Sequence, residues 1–496
     1  MRTRFLLVAA AAVLVSSVGM SARAQETAPG QTKHVLVLTM DGSHAIDLQN
    51  YVNSHPHSNL AALYRHAIFY NDASTPWPSD SFPAEMAIIT GGTPYSTGVW
   101  YEISYSRKLS PPGSHCATRG TEIALDESID YDPNALNGGG GIDPAKLTLN
   151  PDKGCTPVYP HDLLRVNTIF DVLKAKGLYT AWIDKQIGDE MDQGPTGHAI
   201  DDFLKIELHH AHAAHSLPGI FHFDDLRTEA LLHEIDGRDH TGAHKEPVPN
   251  IMGLTYQAIS VGEKLKAGYG WTNGTGTKSP ALLSAFDHTD MEIGRVLAEL
   301  RKNGLYDSTT VIVTAKHGQM PIDINKLVKV DPSVMVNAVN GVQQGLVADS
   351  TGDDIYMFWL KDHSKTAAAV TALEAIQKQA HIRRIFSGTA LNLLYRNPAT
   401  DPRTPDIIVE PSLGVIYTKP SNPTIAEHGG FSYEDTHVPI MISNVAWRPR
   451  HVRAPVHTMQ LAPTIVKLLG ADPNQLQAVR IEGTEVLPDV PGFGVH

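Results

Sequence analysis

Only two cysteines, Cys116 and Cys155, occur in 496 residues. That is too few for a disulfide-built scaffold or a cysteine-rich metal cluster. Both lie in one loop-like stretch, so the expected use in an oxidising compartment is a single bond closing that loop; two free thiols or a shared metal are the other readings, and neither Cys is assigned to catalysis. Basic residues are also short. Forty Lys and Arg against 53 Asp and Glu give a net charge of -13, which argues against nucleic acid as a principal partner. Long apolar runs are missing as well: no stretch approaches the roughly 18 uninterrupted apolar residues of a membrane span. No Cys stands directly after residue 24 to take a lipid. With 42% hydrophobic and 19% charged residues, the chain is neither disordered nor fibrous and can bury a large core.

The N-terminus carries a targeting pattern. Arg2 and Arg4 precede an apolar run over 5–15, and Ala22-Arg23-Ala24 offers a small-x-small cleavage site, the layout of a secretory signal peptide. Residues 1–24 are therefore expected to be a signal peptide, with an uncleaved anchor as the other reading, and the mature protein to be exported, periplasmic or secreted. Residues 25–496 are expected to form one large α/β domain with insertions at about 101–165 and 203–250. Twenty-five histidines, many near Asp, Glu or Gly, make a metal worth testing.

Along the chain, the continuous apolar run from His34 to Met40 stops at Asp41-Gly42. Such a run suits a strand buried on both faces of a mainly parallel sheet, and ligand-binding groups gather at the carboxyl ends of such strands. A buried strand or helix over 86–90 follows Ser81-Phe82-Pro83, where Pro83 suits a first helical turn and puts Ser81 near the helix start. The Pro-, Gly- and Asp-rich stretch 101–165 reads as an insertion loop. A helix over 167–176, a strand over 179–183 ending at Asp184, a strand over 254–261 and an amphipathic helix over 280–303 follow. The strand over 309–314 delivers Lys316-His317-Gly318 to its carboxyl end. A helix near 365–380, a strand at 406–410, the loop with His428 and a strand over 438–442 complete an alternation that predicts a mainly parallel central sheet with helices on both faces.

Asp41, His317 and His428 are thus expected at one sheet edge with Ser81. Carboxylate, imidazole and hydroxyl are the groups with which a divalent metal activates a nucleophile and polarises a phosphoryl oxygen, and a helix N-terminus suits an anionic ester. The stretches 35–42, 79–86, 90–98, Val313-Thr314-Ala315-Lys316-His317-Gly318-Gln319-Met320 and Ala426-Glu427-His428-Gly429-Gly430 resemble, in order, the alkaline phosphatase superfamily and its type I phosphodiesterase and nucleotide pyrophosphatase branch. The resemblance implies an alkaline phosphatase-like fold, Ser81 as the nucleophile that becomes phosphorylated, and Asp41, Ser81, His317 and His428 as ligands of a divalent metal. Zinc is what the family implies, in one or two ions; Mn or Ca also suits such donors.

Two departures stand out. The family's Asp before His-Gly is Lys316 here, which is expected to hold a substrate phosphate as an ammonium. The family's Asp-x-x-x-His pair after a central strand has no match at the expected distance; Asp236 and His240 have the spacing but precede that strand, and are candidates against a solvated turn. The tract His209, His210, His212 and His215 reads first as an irregular polar loop, Asp290 as a buried polar contact, and Asp435 and His437 as groups that could support His428. The expected function is metal-dependent hydrolysis of small-molecule phosphate esters of the phosphodiesterase type through a phosphoseryl intermediate. The alternatives are a phosphomonoesterase, phosphonate hydrolase or sulfatase on the same scaffold, or a protein that binds phosphorylated ligands without turnover. Ser81-Phe82-Pro83-Ala84-Glu85 lacks the Cys/Ser-x-Pro-x-Arg form of a sulfatase.

Overall fold

The structure, a computed structural model, describes residues 32–208, 210–272 and 276–493. The expected signal peptide, residues 1–24, lies outside them. Twelve strands make up its two main sheets: β1 His34–Met40, β2 Ala67–Tyr70, β3 Ala181–Asp184, β4 Asp202–Lys205, β5 Ile251–Tyr256, β6 Thr309–Thr314, β7 Val347–Thr351, β8 Tyr356–Leu360, β9 Ile382–Ser387, β10 Ile407–Pro411, β11 Ile440–Ser443 and β12 Arg450–Val452. The central sheet has eight strands in the order β12-β2-β11-β6-β1-β5-β3-β4. From β6 through β4 every neighbouring pair is parallel; β11 runs antiparallel to both β6 and β2.

Alternation along the strands explains why helices cover both faces. Val35 and Val37 of β1 pack with Ile251 and Ile312 on one side, against helix α2 (Ser81–Thr90), α3 (Ile169–Ala175) and α9 (Leu461–Leu468). Leu36, Leu38 and Met40 pack with Leu254 and Val313 on the other, against α1 (Ala45–Ser54), α4 (Leu217–Ile235), α5 (Ala258–Lys264) and α6 (Pro280–Lys302). Neither face of β1 meets water, so each apolar side chain adds roughly 1.5–3 kcal/mol of burial.

Between β6 and β11 the chain leaves the sheet and builds a four-stranded antiparallel sheet, β7-β8-β10-β9. Helices α7 (Ser333–Val342) and α8 (Thr366–Ala375) pack on it through Met335, Val339, Ala369 and Leu373. The strand foreseen near 406–410 is real but belongs to this second sheet. Its apolar face has the same pattern as a central strand, so pattern alone does not separate the two. The two ends of this excursion are clasped, because Met320 and Glu427 exchange backbone hydrogen bonds of 2.8 and 2.9 Å.

The strand expected over 254–261 starts and ends earlier, at Ile251–Tyr256, and its second half is α5. Apolar residues at 258, 259 and 261 carry both periods, and helical packing on α6 decides between them. Residues 86–90 are helix: all ten residues of α2 are buried, Asp80 caps it, and Gly91 closes it with φ 78°. Cys116 and Cys155 are bonded to each other within the 101–165 loop.

Candidate functional site

Four adjacent parallel strands end on one edge of the central sheet, and each hands a polar side chain to the same cleft or to its floor. β3 is followed by Lys185, β5 by Gln257, β1 by Asp41, and β6 by Lys316 and His317. The cleft, about 330 Å³, is lined among others by Ser81, Lys185, Gln257, Lys264, His317 and His428. The two insertions expected to wall it contribute Glu102 from one, and Leu208, Ala214 and His215 from the other.

Ser81 opens α2, directly after the capping Asp80. Its Oγ lies 3.3 Å from Nε2 of His317 and 3.0 Å from Nζ of Lys185. Nδ1 of His317 is 3.0 Å from the carbonyl oxygen of Gly318. A carbonyl can only accept, so Nδ1 carries the proton and Nε2 turns its lone pair to Ser81. Burial, then the neighbouring His428, holds the His317 pKa well below the ordinary histidine value. The two rings stack at 3.7 Å, and burial with the Lys264 charge brings His428 down to about 4. Both imidazoles are therefore neutral near pH 7.

Asp41 is fully buried. Its Oδ2 accepts from Lys185 Nζ at 2.8 Å and from Gln257 Nε2 at 2.5 Å. Although burial alone would raise its pKa, the charges of Lys185 and Lys316 hold it well below the carboxylate range. On the far wall Lys264 pairs with Glu427 at 3.1 Å, and Glu427 falls to about 2 against its burial because of that ammonium.

Lys316 does something other than what its place in the sequence suggests. Its ammonium is 1% exposed and points behind the cleft, 2.5 Å from Glu85 Oε2 and 3.1 Å from Asp184 Oδ1. It is not among the cleft-lining side chains. Burial pushes the Asp184 carboxyl up, yet Lys316 and Glu85 bring it down to about 2. Trp182 Nε1 reaches the same wall, 3.2 Å from Asp184 and 3.4 Å from Glu85.

Of the other candidates, Asp236 and His240 are not brought to the cleft. Asp236 Oδ1 accepts from Asn303 at 2.8 Å and His240 pairs with Asp202. Asp290 takes the backbone N–H groups of Asn59 and Leu60, a contact that joins α6 to the segment after α1. Asp435 accepts from Ser432 N, and His437 bonds the Asn71 carbonyl, so neither touches His428. His215 does line the cleft, while His209 lies outside the described residues. Lys185, Gln257 and Lys264 went unnoticed in the sequence; the available signal was position, since Lys185 directly follows a strand already foreseen to end at Asp184.

Do these residues fit the implied metal? Three His and carboxylate groups among the described residues bring donors within 4.8 Å of one another: His44, Asp47 and Glu263; Asp225, His288 and Glu292; Glu85, Asp184 and Asp192. None includes Asp41, Ser81, His317 or His428. At Asp41 one carboxylate oxygen is already taken by an ammonium and an amide donor, and only Oδ1 is without a partner. A divalent ion about 4 Å from the Lys185 ammonium would meet roughly 8 kcal/mol of repulsion at the effective dielectric of such sites. The donor set at Ser81 does not fit a metal while Lys185 stands there.

The fold recurs in solved structures. Murine ectonucleotide pyrophosphatase/phosphodiesterase 5 is similar at 14% identity and a TM-score of 0.56, over 88% of this chain and 95% of that one. An inactive variant of it in complex with AMP is similar at 13% identity, with a TM-score of 0.56 over the same shares. Wild-type alkaline phosphatase PafA is similar at 11% identity and a TM-score of 0.61, over 89% and 96%. No curated protein sequence matches the chain. The type I phosphodiesterase / nucleotide pyrophosphatase family profile matches residues 35–182 and 265–433, more than half of the sequence, and the chain therefore belongs to that family of phosphoric ester hydrolases.

Proposed function

We propose that the protein hydrolyses small-molecule phosphate esters, diesters first, through a phosphoserine formed on Ser81. One observation carries the reading: Ser81 Oγ sits at the start of α2 between the free lone pair of His317 and the ammonium of Lys185. The Ser81 hydroxyl gives its proton to His317 Nε2, and Oγ attacks phosphorus in line with the leaving oxygen. The new bond is Oγ–P; the bond to the ester oxygen breaks, and the departing alkoxide takes the proton from His317. Water, deprotonated by the same imidazole, then attacks phosphorus; the Oγ–P bond breaks, Ser81 Oγ takes the proton back from His317, and phosphate or its monoester is released. Lys185 uses two of its three N–H donors on Asp41 and Ser81, leaving one for a phosphoryl oxygen as charge develops. Lys264, on the far wall, meets the anionic ester. Lys316 is a positioning residue that fixes Glu85 and Asp184 behind Lys185.

The test uses bis-p-nitrophenyl phosphate and the matching monoester. Faster release from the diester, with a Ser81 peptide that bears the p-nitrophenyl phosphoryl group after acid quench, is the expected result. Release from the monoester alone would move the reading to a phosphomonoesterase. No release from either would leave a protein that binds phosphorylated ligands. The Cys116–Cys155 bond suits an oxidising compartment and supports an exported protein; no helix among the described residues is long and apolar enough to cross a membrane.

A further inference from the structure

A metal is implied at this centre, yet the side chains around Ser81 are those that replace one. We propose that the Lys185 ammonium takes the electrostatic role of a divalent ion, so that phosphoryl transfer at Ser81 proceeds without metal. The inference rests on the hydrolase reading above, and four observations carry it.

Lys185 Nζ bridges Asp41 Oδ2 at 2.8 Å and Ser81 Oγ at 3.0 Å, the two atoms a nucleophile-activating ion would join. The second donor to Asp41 Oδ2 is the Gln257 amide, which brings hydrogens to a place where a ligand set needs lone pairs. Gln257 directly follows β5, and the residue four places on is Val261, so at the spacing of the family's Asp-x-x-x-His pair this strand end offers an amide and an aliphatic group. Finally, Lys185 and Gln257 both lie between the two segments matched by the family profile, 35–182 and 265–433. The stretch that supplies the replacement is the stretch in which the chain departs from its family.

The chemistry balances with these groups alone. His317 takes the proton of Ser81, the ammonium lies beside the resulting oxyanion, and its remaining N–H meets a phosphoryl oxygen. Asp41 keeps the ammonium in place. Its two hydrogen bonds on Oδ2 fix the carboxylate, which a flexible lysine stem could not do for itself.

The experiment uses the full-length purified protein. It is dialysed against EDTA and dipicolinate, its metal content is measured, and turnover of bis-p-nitrophenyl phosphate is followed before and after. We expect a turnover rate unchanged within about 2-fold, and a fall of about 100- to 1,000-fold in kcat for Lys185→Met, the loss typical of removing one donor to a developing oxyanion. In parallel, zinc is titrated calorimetrically into chelated wild-type protein and Asp41→Asn; the two isotherms should coincide. Loss of turnover on chelation with recovery on adding Zn or Mn would overturn the inference. So would stoichiometric zinc binding that Asp41→Asn removes, whether or not the protein turns over the ester. If no ester is cleaved in any state and Ser81 takes no phosphate, the hydrolase reading fails, and the zinc titration still decides whether Lys185 holds the metal's place. The chelation and metal-content arms need no variant, so they stand even if Asp41→Asn does not fold.

Discussion

Replacing Lys316 by Met is the sharpest probe of how the floor of the cleft is built. The side chains are close in length and shape, so the substitution removes a charge with little change in volume. It leaves Glu85 and Asp184, 2% and 0% exposed, without their shared cation, and Asp192 beside them already has both carboxylate oxygens unpartnered. Breaking a buried ion pair by deleting one partner costs about 3–5 kcal/mol, mostly from the charge left behind. Urea unfolding at pH 7, followed by far-UV circular dichroism, should show a loss of that size with an unchanged m-value. Adding Glu85→Gln to Lys316→Met should return at least about 1 kcal/mol, as coupled neighbours do. The deficit should also shrink in acid. Asp184 has a folded pKa near 2 against a usual 3.8, so its contribution in the wild type is full above 3.8 and is lost as pH falls toward 2. The variant has no such contribution to lose. A deficit under about 1 kcal/mol at pH 7, or one that grows in acid, would refute the idea that Lys316 compensates this wall.

His317→Gln should lower kcat by about 100- to 10,000-fold, the range for losing a general base. Because burial depresses its pKa, activity in the wild type should persist below pH 6.5 and fail only when the imidazole is protonated, a limb that the Gln variant lacks in a kcat/KM profile. Lys264→Met should raise KM more than it lowers kcat, since this cation stands on the far wall and is already paired with Glu427; an effect confined to kcat would remove it from substrate binding. Replacing both Cys116 and Cys155 by Ser opens a loop of 39-residue separation and should cost up to about 4 kcal/mol on chain-entropy grounds, read as a lower urea midpoint with turnover per folded molecule retained.

Five strands of the central sheet, β1, β3, β5, β6 and β11, were legible because they are buried along their whole length; β2, β4 and β12 were not foreseen, being short, and the last two partly exposed. The runs ending at Asp41, Asp184 and Thr314 are continuous and apolar, and each locates a carboxyl edge in the sequence. The second sheet was not, since β8 and β10 carry the same pattern and nothing local says which sheet a strand joins. At the site, residue type pointed to Asp41, Ser81, His317 and His428, and the fold brings all four to one cleft. Type gave no help with Lys185: a lysine after a strand reads as a solvated charge, and only the parallel register of β3, β5 and β1 puts its ammonium on Asp41. Lys316 failed in the opposite sense. It stands beside a site residue in the chain, but while His317 faces the cleft, the lysine turns into the floor, where Glu85 and Asp184 hold its ammonium.

The backbone clasp between Met320 and Glu427 makes the four-stranded excursion a module on a closed neck. His317 stands just before the neck and His428 just after it, so two backbone hydrogen bonds tie together the chain segments that carry the stacked rings. Lengthening, shortening or exchanging the strands and helices of that module leaves the two imidazoles in register, as insertions do whose ends already meet. The protein can therefore vary that module while the chemistry of the cleft stays with the chain on either side of the neck.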